Sequence, residues 1–244
     1  AIQPVVGPVP ADAASAAPRP VDAAAATPPA GPVATDDPAG PFAIVDHPIA
    51  FPAERERLTL EYIHAHVDPD AADITIEPRL IVLHYTAGSS AKGTMGYFDA
   101  TRLEASRAQL RQAGAVNVSA HFLVDRDGTI YRLMPETRFA RHCIGLNHLA
   151  IGIENVGDGD AYPLTAAQVD ADAALIRYLV GRFPITHLIG HLESNQMRGH
   201  PYFAERDPDY RNSKPDPGAG FLADVRARVA DLGLEGPPPK PGGG

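Results

Sequence analysis

Apolar and polar positions along the middle of this chain fall into blocks, and each block carries the period of one element. "RLIVLHYTAG" (79–88) is a continuous apolar run that ends in His84, Tyr85 and a glycine-containing loop, the pattern of a buried strand. "AIGIENVG" (150–157) alternates instead, placing Ile151 and Ile153 on one face and Gly152 and Glu154 on the other. "SAHFLVDRDGTIYRL" (119–133) is two β-rich runs about Asp127-Gly128, a hairpin signal. "ITHLIGH" (185–191) reads as a short strand ending in histidine. Helical spacing appears between them. A first helix is expected over Glu54–His66, and the second half of 94–114 is helical up to Gly114. Residues 164–183 open with a Thr165/Gln168 capping box and carry Val169, Ala173, Ile176 and Val180 at helical intervals. An amphipathic helix over 220–234 closes the domain. Strands and helices interleave, which predicts an α/β domain whose central sheet is packed by helices.

The ends of the chain break this pattern. Residues 1–41 are dominated by Ala, Pro and Val, with no aromatic side chain and no period, and read as a semi-extended tether. Residues 236–244, "GPPPKPGGG", form a short tail of the same kind, leaving 42–235 as the globular domain. With 244 residues, 44% of them hydrophobic, one large core is expected. A net charge of −9 argues against a nucleic-acid binder or a protein of anionic membrane surfaces, both of which need clustered Lys and Arg. No run approaches the ~20 apolar residues of a membrane span. The single cysteine, Cys143, excludes an intrachain disulfide framework and Cys-rich zinc modules, so any metal would be held by His, Asp or Glu. The tether, together with a first residue that is not methionine, leads us to expect an exported protein, periplasmic or extracellular, with its signal peptide removed.

Candidate chemistry gathers near "KPDPG" (214–218). Each proline fixes its own φ and pushes the residue before it into extended conformation, so Lys214 and Asp216 would leave the backbone on the same side. The same letters also fit a helix start, with Asp216 as N-cap and Pro217 in the first turn. Two strands end in histidine, His84 and His191, and two imidazoles with one carboxylate compose a three-ligand zinc site with an open position. Glu154, beside a glycine that leaves room, would then be free to act as a base. A single histidine is more often a structural residue than a ligand, so spacing alone leaves both readings open.

The ordered set "IVLHYTAG", "SAHFLVDRDGTIYRLMPE", "ARHCIG…N…AIGIENVG", "IGH" and "KPDPG" resembles the zinc-dependent N-acetylmuramoyl-L-alanine amidases, the group that includes peptidoglycan recognition proteins and phage T7 lysozyme. The resemblance covers roughly residues 78–230. It implies a central mixed β-sheet flanked by helices, with His84, His191 and Asp216 binding Zn2+. It further implies Glu154 as the acidic residue assisting the catalytic water and Lys214 as the oxyanion stabiliser, with His121 and His142 as substrate-binding or supporting residues of the cleft. The implied partner is peptidoglycan or a muropeptide, cut between N-acetylmuramic acid and L-alanine. A non-catalytic peptidoglycan-binding module is the alternative, since the same fold serves recognition without cleavage.

The chain departs from the family's pattern in two places. The stretch "LESNQMRGHPYFAERDPDYRNSK" (192–214) is long and carries an extra His200, suggesting a lid or groove wall, and Arg141 stands where many relatives have tryptophan. His64 and His66 form an H-x-H whose members face different ways on a helix, so they are expected at the surface. His187 shares strand parity with His191 and competes with it as a ligand, Cys143 is expected to be a buried thiol, and His148 to lie in a loop near the cleft.

Overall fold

The structure, a computed structural model, describes residues 43–239. The tether at 1–41 and the end of the tail lie outside the described residues. A six-stranded mixed sheet has the order β1-β4-β3-β5-β2-β6, with β1 at Ile44–Asp46, β2 at Leu80–Tyr85, β3 at Phe122–Val124, β4 at Ile130–Arg132, β5 at Ala150–Asn155 and β6 at His187–Gly190. Only the β3–β4 pair is antiparallel. It is the expected hairpin, pairing Val124 with Ile130 around a turn in which Gly128 has φ +89°, a value glycine tolerates best.

The alternation read in β5 separates two cores. Ile151 and Ile153, with Ile81 and Leu83 of β2, face α4 (Ala166–Val180) and α5 (Ala219–Arg228), meeting Leu175, Ile176, Leu179, Leu222 and Val225. α4 starts with the expected capping box between Thr165 and Gln168. On the opposite face, Leu80, Val82, Ala150 and Ile189 pack against Cys143, Leu146, Leu149 and Met197. α1 (Ala53–His66) adds a satellite core in which Leu58, Tyr62 and Ile63 meet Ile74, Ile76, Val116, Phe139 and Tyr210.

The region after β2 differs from expectation. The sequence suggested helix only in the second half of 94–114, whereas the structure has α2 over Ala91–Asp99 and only a short α3 over Ala108–Gln112. Gly93 and Gly96 weaken the helical signal of α2, yet Ala91, Thr94, Met95 and Phe98 repeat at helical spacing and are buried, and Ser90 caps the first turn by accepting from Gly93 N–H at 3.2 Å. The three-residue β1 had no legible period at all. α5 has Gly218 as its N-cap with no side-chain cap bond, so Asp216 does not serve as the helix cap its local sequence allowed.

Register does the positioning. His84 lies opposite Glu154 in the β2–β5 ladder, and Leu83 opposite Gly190 in β2–β6, which sets His191 level with His84. Three neighbouring parallel strands thus bring Glu154, His84 and, just past the end of β6, His191 to the carboxyl edge of the sheet, where open α/β sheets bind ligands.

Candidate metal centre and cleft

Tautomers can be inferred outward from the backbone. His142 Nε2 lies 3.2 Å from the Ala150 carbonyl, which can only accept, so Nε2 carries the proton. Burial first, then neighbouring His84 and His121, holds His142 well below the ordinary imidazole range and keeps the ring neutral. Its Nδ1 is therefore a lone pair, and it sits 3.0 Å from His84 Nε2, which must donate. His84 keeps its own lone pair on Nδ1, burial lowering its pKa to about 4.

That Nδ1 stands 3.0 Å from His191 Nδ1 and 3.1 Å from Asp216 Oδ2, and the latter two are 3.2 Å apart. Only His191 Nδ1 is left able to carry a proton, and a single N–H would have to divide between two acceptors. One cation satisfies all three. Around a tetrahedral zinc with bonds of about 2.0–2.1 Å, neighbouring ligand atoms lie about 3.3 Å apart, close to these edges. The set is buried, and its composition fits a zinc ion with three protein ligands.

Asp216 reaches the cluster from the Pro-flanked segment, anchored by its carbonyl, which accepts from Leu192 N–H at 2.8 Å. Lys214, two residues earlier, is exposed and lines a cleft of about 560 Å³. The same cleft is lined by His84, Glu154, His191 and Asp216, with Tyr62, Tyr97, Leu110, Arg141, Tyr210 and Asn212 in its walls. Glu154 Oε2 is buried with no hydrogen-bond partner among the described residues. Burial first, and Asp216 second, push the Glu154 carboxyl up to about 8, with Lys214 acting in the opposite sense. A carboxyl so placed can hold or release a proton near neutrality. An adjoining cavity of about 810 Å³ shares Tyr85 and Pro215 with the cleft but contains none of the clustered residues.

A family model described as N-acetylmuramoyl-L-alanine amidase matches residues 75–219, which span His84, Glu154, His191, Lys214 and Asp216. The chain belongs to that family. Among solved structures, N-acetylmuramoyl-L-alanine amidase LysC from Clostridium intestinale URNW is 22% identical, with 79% of this chain and 99% of that chain covered at a TM-score of 0.48. A Se-Met derivative of AmpD is 24% identical over 76% of this chain and 94% of its own, at 0.48, and bumblebee PGRP-SA is 16% identical over 76% and 94%, at 0.46. No curated protein matches the chain.

Within this family member, the remaining histidines sort by their partners. His121 has no exposed surface. Its Nε2 donates to the Arg138 carbonyl at 2.8 Å and its Nδ1 accepts from Gly152 N–H at 3.0 Å, so it braces β5 and offers no surface to a ligand. His187 stays outside the cluster, with Nδ1 2.8 Å from Thr186 Oγ1 and its ring against His200 and Tyr202. Cys143 is buried as expected, and burial raises its thiol pKa. His148 is not among the cleft-lining residues. Of the long stretch before Lys214, Tyr210 and Asn212 form groove wall, while His200 packs away from the cleft against His187.

Sequence reasoning named His121 and His142 as substrate-binding or supporting residues of the cleft and missed the other supports. Asn155 faces the other side of β5 and donates to Asp172 Oδ2 on α4 at 2.9 Å and to the His84 carbonyl at 3.4 Å. Burial pushes the Asp172 carboxyl up to about 7. Of the aromatic wall, Tyr210 lies in the stretch expected as a lid or groove wall, while Tyr62 and Tyr97 carried no signal in the sequence. One support was half legible: Gly152 next to Glu154. A Cβ there would lie 2.8 Å from His142 Cγ. Gly152→Ala is expected to cost about 1–3 kcal/mol in denaturant unfolding, because the ring must move. The displaced ring also releases His84, so zinc affinity, read by chelator competition, is expected to fall about 10–100-fold.

Proposed function

We propose that this chain is a zinc-dependent N-acetylmuramoyl-L-alanine amidase, hydrolysing the amide between the lactyl group of N-acetylmuramic acid and the first L-alanine of the stem peptide in peptidoglycan or muropeptides. The observation that carries this reading is the convergence of His84 Nδ1, His191 Nδ1 and Asp216 Oδ2 within 3.2 Å beside an unpartnered Glu154 carboxyl. His84, His191 and Asp216 would hold the zinc ion. Bound there, zinc would supply Lewis acidity, polarising the scissile carbonyl and lowering the pKa of water toward ~7.

The chain's own residues do the rest. Glu154 accepts the proton of the attacking water and delivers it to the leaving amine of L-alanine, from its place on β5 opposite His84 of β2. Lys214, at the cleft edge, places its ammonium where the carbonyl oxygen gains charge; loss of one such donor costs on the order of 10² in rate or more. His142 fixes the His84 tautomer through its Nδ1, and His121 and Asn155 hold β5 and the end of β2. Tyr62, Tyr97 and Tyr210 supply the apolar wall against which a sugar or peptide can lie. No helix among the described residues is long and apolar enough to cross a membrane. We place the enzyme at the wall, periplasmic or extracellular, with residues 1–41 as its tether, 42–235 as its catalytic domain and the last residues as a tail.

Mass spectrometry of material released from purified peptidoglycan and from muropeptides, with and without chelator, tests the reading. Free stem peptides beginning with L-alanine are expected only without chelator. Zinc retained and wall bound with nothing released would make the chain a recognition module instead.

A further inference from the structure

The two histidines expected at the surface of α1 divide. His64 Nε2 meets the Ala71 carbonyl at 2.9 Å, whereas His66 is 4% exposed with both nitrogens engaged. Its Nδ1 is 2.8 Å from Glu205 Oε1 and its Nε2 is 2.7 Å from the Ala113 carbonyl. A neutral imidazole offers one N–H and one lone pair. The carbonyl has no proton to give, and Glu205 Oε1 already accepts from Asp207 N–H at 2.9 Å. Both ring nitrogens therefore donate. We propose that His66 is held as an imidazolium and that, with Glu205, it is a positioning residue fastening together two stretches of the cleft wall.

The surroundings suit a cation. Tyr62 of α1 lies against the ring at 4.5 Å between centroids, tilted 33°, and Tyr210 flanks it at 4.8 Å. His66 stands in the last turn of α1, where the helix dipole favours positive charge. Burial and the like charge of Arg141 oppose it. The hydrogen bond and charge of Glu205, with the Ala113 carbonyl, outweigh them and leave the pKa above the ordinary value.

Glu205 belongs to the long segment before Lys214. Its neighbour Arg206 donates from the backbone to the His66 carbonyl at 2.9 Å and from its guanidinium to the His64 carbonyl at 3.1 Å. Further on, the Tyr210 hydroxyl accepts from Arg141 at 3.0 Å, and Tyr210, Asn212 and Lys214 line the cleft. Ala113 follows α3, whose Leu110 lines the cleft as well. Arg141 bridges the same seam, donating to the carbonyls of Leu110, Gly114 and Val116. Two cations thus join one pair of loops, and only one of them titrates near neutrality.

Because the folded pKa is raised, the stabilisation from His66 is fully present below the ordinary histidine value and is lost as pH rises through the folded value. On the alkaline side the wall loosens while the groups on the strand ends stay in place. For the activity proposed above, on which this consequence rests, KM rises with pH and kcat does not follow it.

The test is ring-nitrogen NMR of the full chain labelled at histidine, titrated through neutrality. His66 is expected to show two protonated nitrogens at about pH 7, and the Arg206 and Tyr210 amides to shift with the same midpoint. Glu205→Gln is expected to move that midpoint, and the rise in KM, to lower pH. A neutral single tautomer of His66 at that pH, or a midpoint unmoved by Glu205→Gln, overturns the proposal. Should no muropeptide be cleaved, the functional reading fails while the titration and amide shifts still decide this one. Should Glu205→Gln not fold, the wild-type titration decides it alone.

Discussion

Asp216→Ala is expected to give a folded protein that emerges from gel filtration without zinc and without amidase activity. The change removes one of only three protein ligand atoms in the proposed centre, so affinity should fall well beyond the ~10–100-fold that loss of a supporting hydrogen bond costs. The fold should survive, because the local chain is anchored by the Asp216 carbonyl to Leu192 N–H, a bond that alanine preserves. Without the carboxylate, His84 and His191 are left 3.0 Å apart, a pair that one proton can bridge. Metal content by elemental mass spectrometry, read beside circular dichroism, checks both halves. A variant that still carries one zinc per chain would remove Asp216 from the ligand set and reopen the place for another residue.

The same segment shows why sequence reached some of this site and not the rest. Local letters at "KPDPG" fitted a helix cap as well as a ligand, and the cap reading was the one geometry rejected: α5 begins at Ala219, and the Asp216 carboxylate turns back toward two strand ends. What singled out His84, His191 and Glu154 was periodicity, since each lies at the end of a strand whose apolar pattern was unambiguous. Register then made them neighbours, and register is not written in any one strand. It depends on which strands pair, information spread over the whole sheet.

What the supports hold was illegible for a different reason. His142 fixes a tautomer and His66 a charge only through partners distant in sequence, His84 and Glu205, which lie 58 and 139 residues away. A helical H-x-H pattern says that two side chains diverge; it cannot say that one of them enters a buried seam. α2 was missed because its glycines carry low helix propensity, while its stability comes from burying Met95 and Phe98 against Leu123 and Leu133. Tertiary packing overrode local preference in each case.

Glu154→Gln is expected to separate holding the metal from using it. Glutamine keeps the length and shape of the side chain on β5 but cannot accept a proton from water, so turnover should fall by about 10²–10⁴, the usual contribution of a positioned acid–base group. Zinc should remain at wild-type content, because Glu154 is not among the converging ligand atoms and the His142–His84 relay does not pass through it. Binding of an uncleaved muropeptide should also persist, since the aromatic and Arg141 walls are untouched. The three readouts taken together, released L-alanyl peptide, zinc content and ligand affinity, give the result its meaning. Loss of the first alone assigns the proton to Glu154. Loss of zinc with it would make the carboxylate part of the metal centre, and full activity would show that the proton leaves by another group, with Lys214, exposed at the edge of the cleft, the first to test.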